Sequence, residues 1–400
     1  MSNNEIVVTA VARTPFGRFN GELKDIPGPE LAARTMDATL ARAGLPAEEI
    51  DAAYIGFGLI AAATLTPARQ AVLMSSLPET TPSLTVDRAC CSGMTAIGLG
   101  WKDIRLGLAK AVLCGGCDNL SAIPMLLPRQ RDRLIGQFKV DDPLLLRAPV
   151  IDSSIAGYTS EEALRHGIDR QAQDEWALGS HQRYFAAEKA GYFDFERVPV
   201  ETHDKKGNPI TVERDESPRA DTSLEKLSRL TPVYGSKTIT PGNAPGLNDG
   251  AAFVVLADGE WARERGLPIL GRILDYTQVA DAPTSGSYTP AIAIRQLLKR
   301  NNFTPANLDA IEINEAFAAT PLVSTLRLAE GDVAQANALR QRTNSHGGAV
   351  AIGHPLGASG ARLVMTLING LRRKGGGIGA TAICGGFGQG DAILLAAEPQ

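Results

Sequence analysis

Histidine and cysteine are both scarce in these 400 residues, at five each. Five cysteines make no disulfide framework and the odd count leaves a thiol over, so a reducing compartment is expected. Long apolar runs are missing too: nothing approaches about 18 consecutive apolar residues, the length that a membrane-spanning helix needs. The opening "MSNNEIVVTAVARTPFG" has no basic n-region or long apolar h-region, and the closing "AAEPQ" is no peroxisomal address. A cytoplasmic location is the expectation by elimination. Positive charge is not in excess, with 40 Lys and Arg against 44 Asp and Glu. That argues against a nucleic-acid partner, which asks for a basic face, but not against an anionic small ligand held by a local cluster. Phosphate-loop and dinucleotide fingerprints are lacking, because the glycines of "RRKGGGIGA" precede a strand instead of opening a helix. "CGGC" at Cys114–Cys117 has no second pair at metal spacing, so no metal is expected.

What the chain does have is glycine, 41 residues of it, and Ala-rich stretches between short β-branched runs. That texture predicts alternating strands and helices, an α/β protein. "EIVVTAVA", "AAYIGFGLI" and "KAVLCGG" read as buried strands, and "PELAARTMDATLARAGL" as a helix closed by Gly44 and Pro46. Residues 119–248 are more polar, with one strong helix around "EWALGSHQRYFAAEKAG" and a strand pair around a "KKGN" turn, and are expected to be an insertion. The rest reads as duplicated. "CCSGMTAIGLGWKDIRLGLAKAVLCGG" and "GHPLGASGARLVMTLINGLRRKGGGIGATAICGG" both run Gly-rich turn, apolar helix, basic turn, strand, Cys-Gly-Gly. Two such halves, facing each other, would bring both turns to one crevice at strand ends.

Those turns hold the reactive residues. Cys90 and Cys91 are expected in the first turn of a helix, where free N–H groups lower a thiol's pKa and make it a nucleophile. Burial at a tight helix–strand contact is the other reading of the pair. His354, between Gly353 and Pro355, is no ordinary core position. His346 sits in a second Gly-rich turn, while His166, His181 and His203 read as surface or structural. Cys384 ends an apolar strand and enters a glycine-dense turn whose bared N–H groups could form an oxyanion hole. Asn314 and Glu315 stand between a strand and a helix, where they could be no more than an N-cap.

Taken in chain order, "ARTPFGRFNGELKD", "VDRACCSGMTAIGLG", "LCGGCDNLSAIP", "GNAPGLNDGAA", "INEAFAA", "NSHGGAVAIGHPLGASGAR" and "CGGFGQG" resemble the thiolase family, CoA-dependent acyltransferases that make or cleave 3-ketoacyl-CoA. The resemblance runs from about residue 5 to 397. It implies two similar βαβαβαββ halves packed together, 1–118 plus 249–267 and 268–400, with a loop domain at 119–248. It makes Cys90 the nucleophile, acylated in a ping-pong Claisen mechanism, with Cys91 where the family usually has glycine. His354 then takes the Cys90 proton and stabilises charge on the thioester oxygen. Cys384 moves the proton at the α-carbon or the incoming thiol. Asn314 holds a water in one oxyanion hole, and the backbone N–H groups of Cys90 and Gly386 form the other. Arg219 matches a CoA-phosphate contact. CoA and acyl-CoA are substrates, no cofactor is bound permanently, and a homo-oligomer is expected, with 125–149 lying where the family's tetramer loop lies.

The sequence departs from the family at Asp87, expected to pair with Arg88, and at Pro245, Ile155 and Phe387, all around the acyl pocket and CoA channel. Two other readings stay open: a ketoacyl-synthase-type condensing enzyme, which would lack Cys384 as a base, and a catalytically silent acyl-CoA-binding partner.

Overall fold

The computed structural model describes residues 4–60, 65–127, 140–145 and 150–400. Its first half begins with strand β1 (Ile6–Arg13) and the short β2 (Gly17–Arg18). Helix α1 (Gly28–Ala43), β3 (Ala52–Gly56), α2 (Pro67–Met74), β4 (Ser83–Val86), α3 (Ser92–Arg105) and β5 (Ala111–Asn119) follow. Helices α4 (Ile155–Arg165) and α5 (Arg170–Lys189), a hairpin of β6 (Val200–His203) and β7 (Pro209–Val212), and α6 (Leu224–Ser228) intervene. The chain then returns through β8 (Asn248–Asp258) and α7 (Gly259–Glu264). The second half holds β9 (Gly271–Ala280), α8 (Thr289–Arg300), β10 (Ala310–Ile313), α9 (Ala319–Leu328) and α10 (Val333–Arg340). It closes with α11 (Ala349–Ile352), α12 (Leu356–Arg373), β11 (Gly377–Gly385) and β12 (Gln389–Ala397).

Local sequence sets these boundaries. Proline near the start of α1 supplies a fixed φ where the missing N–H costs nothing, and Gly44 ends the helix at φ 63°. The hairpin turns at Asp204, whose carboxylate accepts the N–H groups of Lys206 and Asn208.

The sheet order β4-β3-β5-β8-β1 in one half is matched by β10-β11-β12-β9 in the other, and the two are joined where Val7 and Val8 pair with Arg272 and Gly271. The first half is thus βαβαβαββ. In the second, the strand equivalent to β4 is reduced to one parallel bridge, Ile311 to Thr343. The duplication is real, but its two Cys-Gly-Gly triplets are not equivalent. Cys114 pairs with Val254 midway along β5, whereas Cys384 pairs with Gly390 one residue from the end of β11.

Alternate residues of each sheet face different cores. Ala53, Ile55, Leu113 and Val255 pack on α1 and α2, and Ile311, Ala380 and Leu394 pack against α8 and α10. Val112, Val254, Ile383 and Ile393 turn inward onto α3 and α12, the central layer. Every residue of α12 from Leu356 to Leu371 is buried. The two central helices touch through glycine: a Cβ on Gly93 would stand 2.2 Å from the Gly357 carbonyl oxygen, and one on Gly360 2.4 Å from the Met94 nitrogen. Cys114 and Cys117 lie on opposite faces of β5, in different cores, so they cannot share a metal or a disulfide.

Candidate active site

The ends of the two central helices meet the ends of β10 and β11. The nucleophile turn differs from its expected form. Helix α3 starts at Ser92 with Cys91 at the cap, so Cys90 stands outside the first turn. Ala89 takes a left-handed φ of 50°, and the Ser92 hydroxyl accepts the Arg88 N–H at 2.9 Å, which folds the chain back before the helix can begin. Cys90 is half-buried, while Cys91 is wholly buried, its sulfur directed at the Ile383 carbonyl oxygen at 3.5 Å.

Burial disfavours the thiolate of both Cys90 and Cys384. Burial pushes Cys90 up from the ordinary thiol range, and the Cys384 sulfur and the Asp118 carboxylate push the same way. A lowered thiol pKa was the expectation; without a place in the helical turn, desolvation prevails. Cys384 is raised by burial to about 12. Burial, aided by Arg362, lowers His354 to about 3, so its imidazole is neutral.

His354 is held on three sides. Its backbone N–H donates to Asn248 Oδ1 at 2.8 Å, its Nδ1 is 2.6 Å from Ser359 Oγ, and its Nε2 is 3.4 Å from Asn314 Nδ2. The Ser359 hydroxyl already gives its proton to the Pro355 carbonyl at 2.8 Å. It must therefore accept from Nδ1–H, which leaves the imidazole lone pair on Nε2, facing Asn314. Gly353 reaches φ 113° just before, where a side chain would collide with Asn248.

Asn314 is not a helix cap, since α9 begins only at Ala319. Its Oδ1 is buried and has no hydrogen-bond partner among the described residues, an acceptor open to a water. Glu315, beside it, is structural: it accepts from Trp176, Ser180, Asn344 and the Val350 N–H at 2.8 to 3.0 Å.

Beyond Cys384 the chain turns through Gly385 and Gly386, and Phe387 adopts φ 58°, ψ 49°. A Cβ on Gly386 would lie 3.4 Å from the Ala89 Cβ, so the turns bearing the Cys90 and Gly386 N–H groups touch. Asp87 does not pair with Arg88. Its carboxylate caps the Ala89 N–H at 3.0 Å, while Arg88 turns inward to Asp391. Arg219 is exposed and donates its backbone N–H to His181 Nδ1 at 3.2 Å. Two residues before it, Ser217 accepts from Asn248, which ties this loop to the His354 turn. His346 is stacked on Tyr192 with ring centroids 3.7 Å apart, a packing role.

Four neighbours escaped sequence reasoning. Asp118 accepts from Gly58 and, at 2.6 Å, from Gly357, so the end of β5 grips the start of α12. Asn248 and Ser359 orient His354. Tyr158 of α4 is buried, which disfavours its ionisation, and the Cys384 and Cys90 sulfurs push the same way. The glycine-flanked motifs were visible; their partners lie far off in sequence, apart from Ser359 within "GHPLGASG".

The family models decide what carries this arrangement. "Thiolase, N-terminal domain" matches residues 6–260 and "Thiolase, C-terminal domain" residues 267–397. The chain belongs to the thiolase family. It is 39% identical over 396 residues to an acetyl-CoA acetyltransferase of Cupriavidus necator, covering 98% of this chain and 99% of that one. It is 37% identical over 406 residues to a beta-ketoadipyl-CoA thiolase of Pseudomonas knackmussii, covering 98% and 99%. Crystal structures of the Bacillus anthracis acetyl-CoA acetyltransferase and of human mitochondrial 3-ketoacyl-CoA thiolase each superpose with a TM-score of 0.92 at 34% identity, over 98% of this chain and 99% of theirs. This thiolase is therefore an enzyme of the CoA-dependent acyltransferases, and neither the condensing-enzyme reading nor the silent-partner reading is favoured.

Proposed function

We propose that this thiolase cleaves and forms 3-ketoacyl-CoA through an acyl group on Cys90, with His354 and Cys384 as its acid–base pair. The supporting observation is the meeting of Cys90 with Cys384 at the touching turns, while Asp118 fastens the His354 turn to the same region. In cleavage, Nε2 of His354 takes the Cys90 proton as the sulfur attacks the 3-keto carbon. The tetrahedral oxyanion is met by the N–H groups of Cys90 and Gly386. As the C2–C3 bond breaks, its electron pair goes to C2, which receives the Cys384 proton, and acetyl-CoA leaves. The Cys384 thiolate then takes the proton of incoming CoA, whose sulfur attacks the acyl-cysteine. His354 returns its proton to Cys90. Asn314 Oδ1 accepts from a water, whose other O–H donates to the thioester enolate oxygen and stabilises it.

We assign Arg219 to the CoA phosphates, as an exposed cation on the loop tied to Asn248. We divide the chain into 1–118 plus 249–267, 119–248 and 268–400, since β8 re-enters the first sheet beside β5 after the intervening segment. A homo-oligomer, dimer or tetramer, is proposed: Leu65, Leu73, Met74 and Leu84 are exposed around the edge strand β4, apolar surface that a second copy would cover. Most of the tetramer-loop segment, 128–139 and 146–149, lies outside the described residues. No helix among the described residues is long and apolar enough to cross a membrane. The cytoplasmic location and the absence of a permanent cofactor rest on the sequence reading.

Incubation with acetyl-CoA or a 3-ketoacyl-CoA, followed by peptide mapping, tests the central claim. Acyl label on Cys90, lost in Cys90→Ala, is expected; label on Cys91 alone, or none, refutes it. A panel of 3-ketoacyl-CoA chain lengths then reads the acyl preference.

A further inference from the structure

We propose that Arg88, Asp391 and Gln389 are positioning residues that lock the two halves of the backbone oxyanion hole together. This rests on the assignment of that hole to the Cys90 and Gly386 N–H groups. Arg88 lies two residues before Cys90, and Gln389 three after Gly386. The Arg88 guanidinium crosses from the nucleophile turn to β12, where it forms an ion pair with the buried Asp391 and donates from Nε to Gln389 Oε1 at 2.9 Å. Gln389 passes the link on, its Nε2 reaching the Gly386 carbonyl oxygen at 3.4 Å.

The anchor under this chain is rigid. Asp391 accepts from Thr95 of α3 at 2.6 Å and from Tyr276 of β9 at 2.8 Å, besides Arg88. Arg88 also donates to Thr95 at 2.9 Å. The carboxylate is thus held by three donors from three segments, which suits a buried charge and fixes its geometry. Around it the two turns are in contact: a Cβ on Gly385 would lie 2.9 Å from the Cys91 sulfur and 3.0 Å from the Arg88 carbonyl oxygen. Apolar contact alone would let these loops slide. The Arg88–Gln389–Gly386 chain ties them at the one place where two N–H groups must converge on a single oxygen.

Acetylation of Cys90 by acetyl-CoA needs the oxyanion hole, whereas its alkylation by iodoacetamide builds no oxyanion. The ratio of the two rates therefore reports on the hole and not on general integrity. Gln389→Leu breaks the link without removing a charge, and Arg88→Met/Asp391→Leu replaces the buried pair by apolar groups. In both, single-turnover acetylation should fall about ten- to a hundredfold, short of the ~10²–10³ for complete loss of a donor. Alkylation of Cys90 should stay within about twofold, and KM for acetyl-CoA should change far less than kcat. Arg88→Lys should recover part of the loss. The proposal is overturned if Gln389→Leu keeps the wild-type ratio, or if acetylation and alkylation fall together. Wild-type protein that gains no acetyl group on Cys90 defeats the acyl-cysteine reading, and this proposal with it. An acetylating wild type matched by its variants defeats this proposal alone.

Discussion

Ser359 Oγ stands 2.6 Å from Nδ1 of His354 while giving its own proton to Pro355, and so dictates which imidazole nitrogen is the base. Removing that acceptor frees the tautomer. Ser359→Ala should lower kcat about three- to tenfold, the worth of one buried hydrogen bond, with KM nearly unchanged. Steady-state kinetics decide it: an unaltered kcat would mean that Nδ1–H finds another acceptor.

The raised Cys90 thiol gives a sign for its pH dependence. The thiolate fraction of free enzyme should grow about tenfold per pH unit through neutrality, so iodoacetamide labelling of Cys90 should climb without a plateau below about pH 9. A plateau near pH 7 in mapped labelling rates would show an activated resting thiolate.

Cys91 offers the control. Its sulfur is enclosed against Ile383, so it should label far more slowly than Cys90. Cys91→Gly should keep most turnover and lose about 1–2 kcal/mol of stability, from backbone freedom and a small void. Denaturant melts paired with a thiolysis assay measure both. Cys90→Ala should fold normally and show no turnover.

Asp118 carries a stability signature. Burial raises it to about 7, tempered by the Gly357 and Gly58 N–H groups. A carboxyl held above its unfolded value of about 3.9 stabilises the fold fully below that pH, and the contribution is lost as pH rises through about 7. Wild type should therefore lose more stability between pH 5 and pH 8 than Asp118→Asn does. Denaturant midpoints at the two pH values that shift equally in both proteins would contradict this.

Gly93→Ala tests the central helix contact. Its Cβ would meet the Gly357 carbonyl, backbone that cannot rotate away. The helices must part, at about 1–3 kcal/mol, and activity should fall by more than stability alone explains. Normal turnover in a folded variant would show that the helices part without disturbing the site.

Much of this was legible in the sequence. The period and punctuation of "PELAARTMDATLARAGL" gave α1 its end at Gly44, and the "KKGN" turn marked the β6–β7 hairpin. The glycine-flanked Cys, His and Cys drew attention to residues that do share one region. Misjudged features depended on tertiary context. The start of α3 slipped past Cys90 because Ala89 adopts a left-handed turn, which alanine's propensity argues against. Arg88 was assigned its sequence neighbour Asp87, but its partner is 303 positions away. The lowered thiol pKa followed from placing Cys90 among the free N–H groups of a first helical turn, which it does not reach, and burial, invisible in one dimension, acts the other way.

The glycine contact between α3 and α12 has one more consequence. The gap between the starts of the two helices is set by the thickness of two main chains, with no side chain interposed. Tyr158, whose ionisation burial and the two sulfurs disfavour, belongs to a separate helix that takes no part in that spacing. A change at Tyr158 can therefore alter the surroundings of the sulfurs without moving the two helix starts apart.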